Sequence, residues 1–469
     1  MFKRIILSFL IISALVVSFV PARAASGNQM IGINVVLNTS ITDSLLVDLG
    51  THGKVRDVVY EINALTMQVA SRELAVIQGL PYVASANPDA TRNGAPVDTV
   101  AVTNFSAGYN TWDLDAINVT NYGVAGRTIG YDGTGVYVAV LDTGLLDSWR
   151  QYFPEERIAT QFAKSFSGGG GEVGNVSEQP NKWEHDQNSH GTHVTSTILG
   201  YSLRGTQING VAPMAKVIPV KVLNQNGSGW SSAVARGIVY IADLKYNGDL
   251  GSSPVVINMS LGGPSLDPME KAAVDYAVGK GVIIVASAGN AGTSGMGYPG
   301  AYEPVISVAA SGWAGEWKDS PLSAINWLWW YNRNVLENSI DQFYITDFSS
   351  RQLAGQDLDV AAPGSWVVGP YQVNSGQTSY YFLGGTSMAS PHVAGIVALM
   401  LQKNSSLSAA QTELILEGSA VNFSYPLVTP FEVCRGVYSI SGVLENICWK
   451  ANASGAGLVM ADLALAATP

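Results

Sequence analysis

Val136-Tyr137-Val138-Ala139-Val140-Leu141-Asp142-Thr143-Gly144 opens on six apolar residues and closes on a carboxylate and a turn. An unbroken apolar run bounded by turn residues reads as a strand buried on both faces. Val217 to Val222, Val255 to Met259, Val282 to Ala286 and Val305 to Ala309 have the same texture. Between them, Ser231 to Leu244, Pro268 to Gly279 and Ser387 to Leu401 read as helices. Strands that alternate with helices predict an α/β fold, a doubly wound, mostly parallel central sheet flanked by helices. Ligands of such sheets bind outside the carboxyl ends of the strands. Asp142 stands at such an end, although a helix cap or a turn residue reads equally well there.

The chain has 469 residues, 47% of them hydrophobic, which suits two or three domains. Its net charge is −11, and no run of Lys or Arg follows the first few residues, so nucleic acid is not an expected partner. Lys3 and Arg4 precede an apolar run from Ile5 to Val20 and then Pro21-Ala22-Arg23-Ala24-Ala25. This pattern predicts a signal peptide over 1–24, cleaved after Ala24, and a secreted protein with no membrane attachment thereafter. An uncleaved signal anchor is the alternative. Cys434 and Cys448 are the two cysteines, and export makes a disulfide between them the expectation, with two unpaired thiols as the alternative.

Residues 25–93 read as a small unit in the order β-α-β-β-α-β, a ferredoxin-like α+β pattern. Residues 88–108 are rich in Asn, Asp, Gly, Pro, Ser and Thr, and a linker is expected over 94–111. The larger domain then spans 112–469.

Three further segments carry candidate chemistry. His190 lies in Asn188-Ser189-His190-Gly191-Thr192-His193-Val194, where polar residues give way to an apolar helical run. No Glu stands between His190 and His193 in the zinc-binding H-E-x-x-H form, so His193 reads as structural. Ser387 lies in Gly384-Gly385-Thr386-Ser387-Met388-Ala389-Ser390-Pro391-His392, a tight turn into a helix, where an ordinary N-cap is the other reading. Asn290 ends Ala286-Ser287-Ala288-Gly289-Asn290 and either donates its amide into a cleft or makes a turn.

Taken together, the order Asp, His, Asn, Ser in these contexts resembles the subtilisin family. The resemblance implies a secreted serine endopeptidase with Asp142, His190 and Ser387 as its catalytic triad and Asn290 as an oxyanion donor. It implies extended substrate pairing with Gly227, Ser228 and Gly229 and with Ser260, Leu261 and Gly262. Polypeptides are then the substrates, and residues 25–93 become a propeptide that assists folding and inhibits a self-processing precursor. A monomer is expected. No cofactor is required for the chemistry. Structural calcium is compatible with the family, and Asp113, Asp115 and Asp132 are candidate contributors without a strong ligand spacing. The alternative is a catalytically silent binding protein on the same fold. Trp230 is expected to border the pocket for the residue four before the cleaved bond. One departure stands out: residues 312–345 look inserted and hold Trp313, Trp317, Trp327, Trp329, Trp330, Phe343 and Tyr344. They read either as a lid packed on the domain or as a partner-binding patch.

Overall fold

The computed structural model describes residues 29–94, 98–101, 110–121, 126–166, 176, 178–318, 328–335, 339–372, 378–423 and 432–469. The signal-peptide expectation and Trp327 lie outside these residues.

The N-terminal unit runs β1 (Met30–Leu37), α1 (Asp43–Gly50), β2 (Gly53–Val59), β3 (Ala64–Ala70), α2 (Glu73–Gln78) and β4 (Val83–Pro88). Its sheet has the order β2-β3-β1-β4 with antiparallel neighbours. Successive side chains of a strand point to opposite faces. Ile33, Val35 and Leu37 therefore join Leu49 and Ile77 in the unit's own core. Asn34 and Val36 point the other way, toward the larger domain.

Two short strands follow, β5 (Thr91–Asn93) and β6 (Asp98–Ala101). The larger domain starts with α3 (Trp112–Ala116), β7 (Tyr137–Asp142), β8 (Lys164–Ser165), α4 (His190–Leu199) and the hairpin β9 (Gly200–Leu203) and β10 (Thr206–Asn209). It continues through β11 (Lys216–Lys221), β12 (Ser228–Trp230), α5 (Ser231–Tyr246), β13 (Val255–Met259), α6 (Pro268–Gly279), β14 (Ile283–Ser287) and β15 (Ile306–Trp313). Then come α7 (Trp329–Asn332), β16 (Phe343–Ile345), β17 (Val360–Pro363), β18 (Val367–Pro370), β19 (Tyr380–Gly384), α8 (Thr386–Lys403) and α9 (Ala409–Ser419). The hairpin β20 (Val433–Tyr438) and β21 (Leu444–Trp449) and helix α10 (Ala461–Ala467) close the chain.

The central sheet runs β16-β15-β14-β13-β7-β11-β8, with β17 also paired to β15. Every pairing in it is parallel except β15 with β16. Val138, Val140, Val256 and Val285 pack into one core with residues of α4 and α8. Ala139, Leu141, Ile257 and Ile284 pack into the other with residues of α5 and α6. Burial on both faces explains why these strands read as continuous apolar runs. The chain leaves β7 for β11 on one side and returns to β13 on the other. That reversal opens a crevice at the carboxyl end of β7, where Asp142 stands.

The turn-rich composition of 88–108 gives no sign of pairing, yet β5 pairs antiparallel with β12, and β6 with β19. Ladder bonds come from the main chain, so polar and small residues can make them as well as apolar ones. The aromatic insertion is core rather than patch among its described residues. Trp313, Trp317, Trp329, Trp330, Phe343 and Tyr344 are all buried. Trp317 lies 5.0 Å from Phe382, and Trp329 lies 6.0 Å from Trp112, ring centre to ring centre. Cys434 and Cys448 face each other across the last hairpin and form a disulfide.

Candidate active site

Asp142 is the last residue of β7 and is fully buried. Its two carboxylate oxygens accept from His190 Nδ1 at 2.8 and 3.0 Å. Thr143 N–H adds a bond of 2.7 Å to Oδ1. His190 is the first residue of α4, and the loop before it is held from several sides. Ser189 adopts a left-handed conformation with φ of 76°, costly for a residue with a side chain. Asp186 holds that turn: Oδ1 accepts from Asn188 N at 3.0 Å and Ser189 N at 2.8 Å, and Oδ2 accepts from Thr192 Oγ1 at 3.0 Å. Thr143 Oγ1 accepts from Gly191 N at 2.8 Å, tying the helix start back to the strand end.

With Nδ1 donating to Asp142, Nε2 is the basic nitrogen of a neutral ring. It is buried and has no hydrogen-bond partner among the described residues. Burial pulls the His190 pKa down, but the charge and hydrogen bond of Asp142, with Asp186 behind them, outweigh it and leave it above the ordinary 6.5. His193 behaves oppositely. Burial first, then the proximity of His190, push its pKa down to about 3. It packs as a neutral ring with Nε2 3.2 Å from the Val367 carbonyl.

Ser387 is the second residue of α8. Its Oγ donates to the Ser260 carbonyl at 3.2 Å, and Ser260 Oγ returns a bond of 2.8 Å to the Ser387 carbonyl. Asn290 follows β14. Its Oδ1 accepts from Thr386 N and Thr386 Oγ1, both at 2.9 Å. Pinning Oδ1 leaves Nδ2 as the end free to donate. Asn290 and Ser387 line a cavity of about 620 Å³ that no charged side chain lines.

A segment of the chain itself crosses this crevice. Ser228, Gly229 and Trp230 pair with Asn93, Arg92 and Thr91. Asn93 exchanges two backbone bonds of 3.0 Å with Gly262, and Gly94 N donates to the Gly227 carbonyl at 2.9 Å. Gly94 has no room for a side chain. A Cβ there would sit 2.7 Å from the Ser260 carbonyl and 3.3 Å from His190 Cε1. The Ser260 carbonyl thus borders both Gly94 and Ser387 Oγ, and Gly94 borders His190. Asn290, Ser387 and Gly262 line the cavity, His190 and the Ser260 carbonyl border Gly94, Gly227 to Gly229 pair with the crossing segment, and Asp142 lies buried behind His190.

The acidic residues singled out for calcium do not converge. Asp113 accepts from His392, Asp115 from Val335 N, and Asp132 from Thr134 and Gln402. Another trio, Asp357, Asp359 and Glu413, brings its ligand atoms within 4.8 Å of one another. Asp359 Oδ1 is buried there without a hydrogen-bond partner among the described residues. An orphaned buried carboxylate oxygen beside two other acids fits a hard cation.

Residues 133–436 match the model of the subtilase family. The chain belongs to the subtilase family. Subtilisin DY of Bacillus licheniformis is 37% identical over 297 residues, which cover 62% of this chain and 86% of that protein. Thermitase of Thermoactinomyces vulgaris is 33% identical over 277 residues, covering 59% and 78%. Fervidolysin from Fervidobacterium pennivorans, a keratinolytic enzyme related to subtilisin, superposes with a TM-score of 0.66 over 94% of this chain and 61% of its own. At 24% identity, that likeness speaks for the fold alone. This subtilase is a serine endopeptidase that acts on polypeptides, and its family needs no cofactor for catalysis. No helix among the described residues is long and apolar enough to cross a membrane.

Sequence reasoning missed several residues of this subtilase's crevice. Asp186 lies four positions before His190 in a polar loop, and a charged loop residue gives no motif. Lys221 ends β11 and donates to the Thr143 carbonyl at 2.5 Å, beneath the two aspartates. Arg92 and Glu270 are 178 positions apart and meet only through the fold.

Proposed function

We propose that Asp142, His190 and Ser387 are the catalytic triad of this subtilase, with Asn290 as oxyanion donor. We further propose that the chain is exported as a precursor which removes its own N-terminal unit. The observation that carries this reading is the path of residues 91–94. They lie extended between Gly227 to Trp230 and Gly262, as a bound peptide adding a strand would.

The residues divide the reaction as follows. A serine hydroxyl is a weak nucleophile until a base takes its proton. His190 Nε2 takes that proton as Ser387 Oγ bonds to the substrate carbonyl carbon. Asp142 keeps the proton of Nδ1 in place and stabilises the imidazolium. The oxyanion accepts from Asn290 Nδ2 and from the Ser387 N–H. In a subtilisin, losing the Asn donor costs about 10²–10³ in kcat. The C–N bond then breaks, the amine leaves with the proton from His190, and water repeats the steps in reverse to free the acid.

The N-terminal unit is suited to act as inhibitor. Its face away from its own core binds the starts of two helices. Asp89 accepts from Ser232 N at 3.2 Å at the start of α5. Asn34 Nδ2 donates to Asp89 at 3.1 Å and to Asp267, the cap of α6, at 3.0 Å. Carboxylates at helix N-termini satisfy free N–H groups and the positive end of the dipole.

The pH profile tests the role of His190. Only the neutral ring accepts a proton, and its pKa stands above the ordinary 6.5. The acid limb of kcat/KM on a peptide substrate is expected above pH 6.5. A limb below that value contradicts the coupling to Asp142.

Calcium at Asp357, Asp359 and Glu413 would be structural. Adding calcium to chelator-treated enzyme is expected to raise Tm, and Asp359→Asn to abolish the rise. An equal rise in the variant contradicts this placement.

A further inference from the structure

Arg92 lies in the strand that crosses the crevice, one residue before the one that pairs with Gly262. Its side chain is completely buried, as is that of Glu270 in the first turn of α6. Arg92 Nε donates to both oxygens of Glu270 at 3.0 Å, and Nη2 donates to Oε2 as well. Nη2 also donates to the Ser265 carbonyl at 3.1 Å, and Nη1 to the Thr91 carbonyl at 3.0 Å. The guanidinium passes over Gly263, where a Cβ would sit 2.7 Å from Nη1. Gly263 and the Ser265 carbonyl form the wall of this pocket, and Glu270 forms its floor.

The two halves of this ion pair have different fates. Glu270, Ser265 and Gly263 belong to the body of the enzyme. Arg92 belongs to the segment that leaves when the precursor is cut. Among the described residues, Arg92 is the only hydrogen-bond partner of the Glu270 carboxylate. Its departure leaves the Glu270 carboxylate and the Ser265 carbonyl facing the place that the guanidinium filled. A buried charge stripped of its partner is strongly disfavoured, so an incoming chain that restores the pair is preferred over one that does not.

We infer that Glu270 makes this enzyme select a basic side chain, arginine foremost, at the substrate position that aligns with Arg92. This rests on the reading above that residues 91–94 trace the path of the substrate. On that reading Gly94, two residues on and packed against His190, occupies the second position before the cleaved bond. The selected position is therefore the fourth before the cleaved bond. Arginine outranks lysine because its planar fork reaches both carboxylate oxygens and the Ser265 carbonyl together, whereas an ammonium is a point donor. Norleucine fills the stem of the pocket but leaves Glu270 unpaired, and glutamate adds a like charge.

The test uses the processed enzyme and internally quenched peptides that differ only at that position, carrying Arg, Lys, norleucine or Glu. Cut sites are mapped by mass spectrometry. Losing one partner of a buried hydrogen-bonded charge pair costs enough to predict an Arg over norleucine preference of about 30-fold or more in kcat/KM. Glu is expected to be the poorest. In the double variant Arg92→Met with Glu270→Leu, which keeps the precursor free of an unpaired charge, norleucine is expected to overtake Arg. Equal rates for Arg and norleucine with wild type, every peptide being cut at the expected bond, overturn the inference while leaving the triad reading intact. Such a result would make the ion pair an anchor for the N-terminal segment alone. If no peptide is cut and a fluorophosphonate fails to label Ser387, the catalytic reading falls and the inference falls with it.

Discussion

Ser387→Ala lowers kcat for peptide hydrolysis by about 10⁶-fold, the loss known for removing the serine of a subtilisin rather than a value derived from this structure. The physical reason is that the acyl-enzyme forms on the Ser387 hydroxyl, which alanine lacks. Ser260 is close, but its Oγ is committed to the Ser387 carbonyl at 2.8 Å. Rate above uncatalysed hydrolysis persists, because Asn290 and the strand-pairing backbone do not depend on the hydroxyl. The comparison is made on protein trimmed by an unrelated protease that is then removed, so that failed maturation does not masquerade as failed chemistry. A loss under tenfold contradicts the assignment of Ser387 as nucleophile.

Asp142→Asn is expected to cost about 10⁴-fold in kcat, the scale known for the triad aspartate in serine proteases, subtilisin included. The substitution preserves shape and volume in a fully buried site, so folding is little disturbed. Its effect is on the proton. The carboxylate accepts from His190 Nδ1 at 2.8 and 3.0 Å, and an amide there can present its N–H₂ instead. The ring then carries its proton on Nε2, the nitrogen that must be basic. The imidazolium formed during reaction also loses its counter-charge. KM is expected to stay within a few-fold of wild type, because Asp142 lies behind the ring and away from the strand-pairing groups. A loss carried mainly by KM contradicts this role.

The central sheet was legible in the sequence because burial on both faces leaves a signature, the continuous apolar runs from Val136, Val217, Val255, Val282 and Val305. Pro268 to Gly279 was readable to its ends, since Asp267 caps it and Pro268 suits a first turn. Asp142, His190, Asn290 and Ser387 stood out because each follows or opens an element in a distinctive context. Three features were not legible for definite reasons. The strands Thr91–Asn93 and Asp98–Ala101 pair through main-chain groups, so turn-rich composition hid them. Glu270 reads as an ordinary first-turn acid, favourable to the helix dipole, until the fold brings Arg92 across 178 positions to meet it. The tryptophans of 312–345 read equally as lid or patch, because apolar composition does not say which side is covered. Packing of Trp317 and Trp329 against Phe382 supplies the cover.

Maturation of the full chain tests the account most directly. Wild type and Ser387→Ala are expressed alike, and mass and N-terminal sequence are followed over time. Wild type is expected to lose about its first hundred residues while the variant keeps its N-terminal unit bound across the crevice. Identical processing of both chains would contradict the account, since the cut would then owe nothing to Ser387.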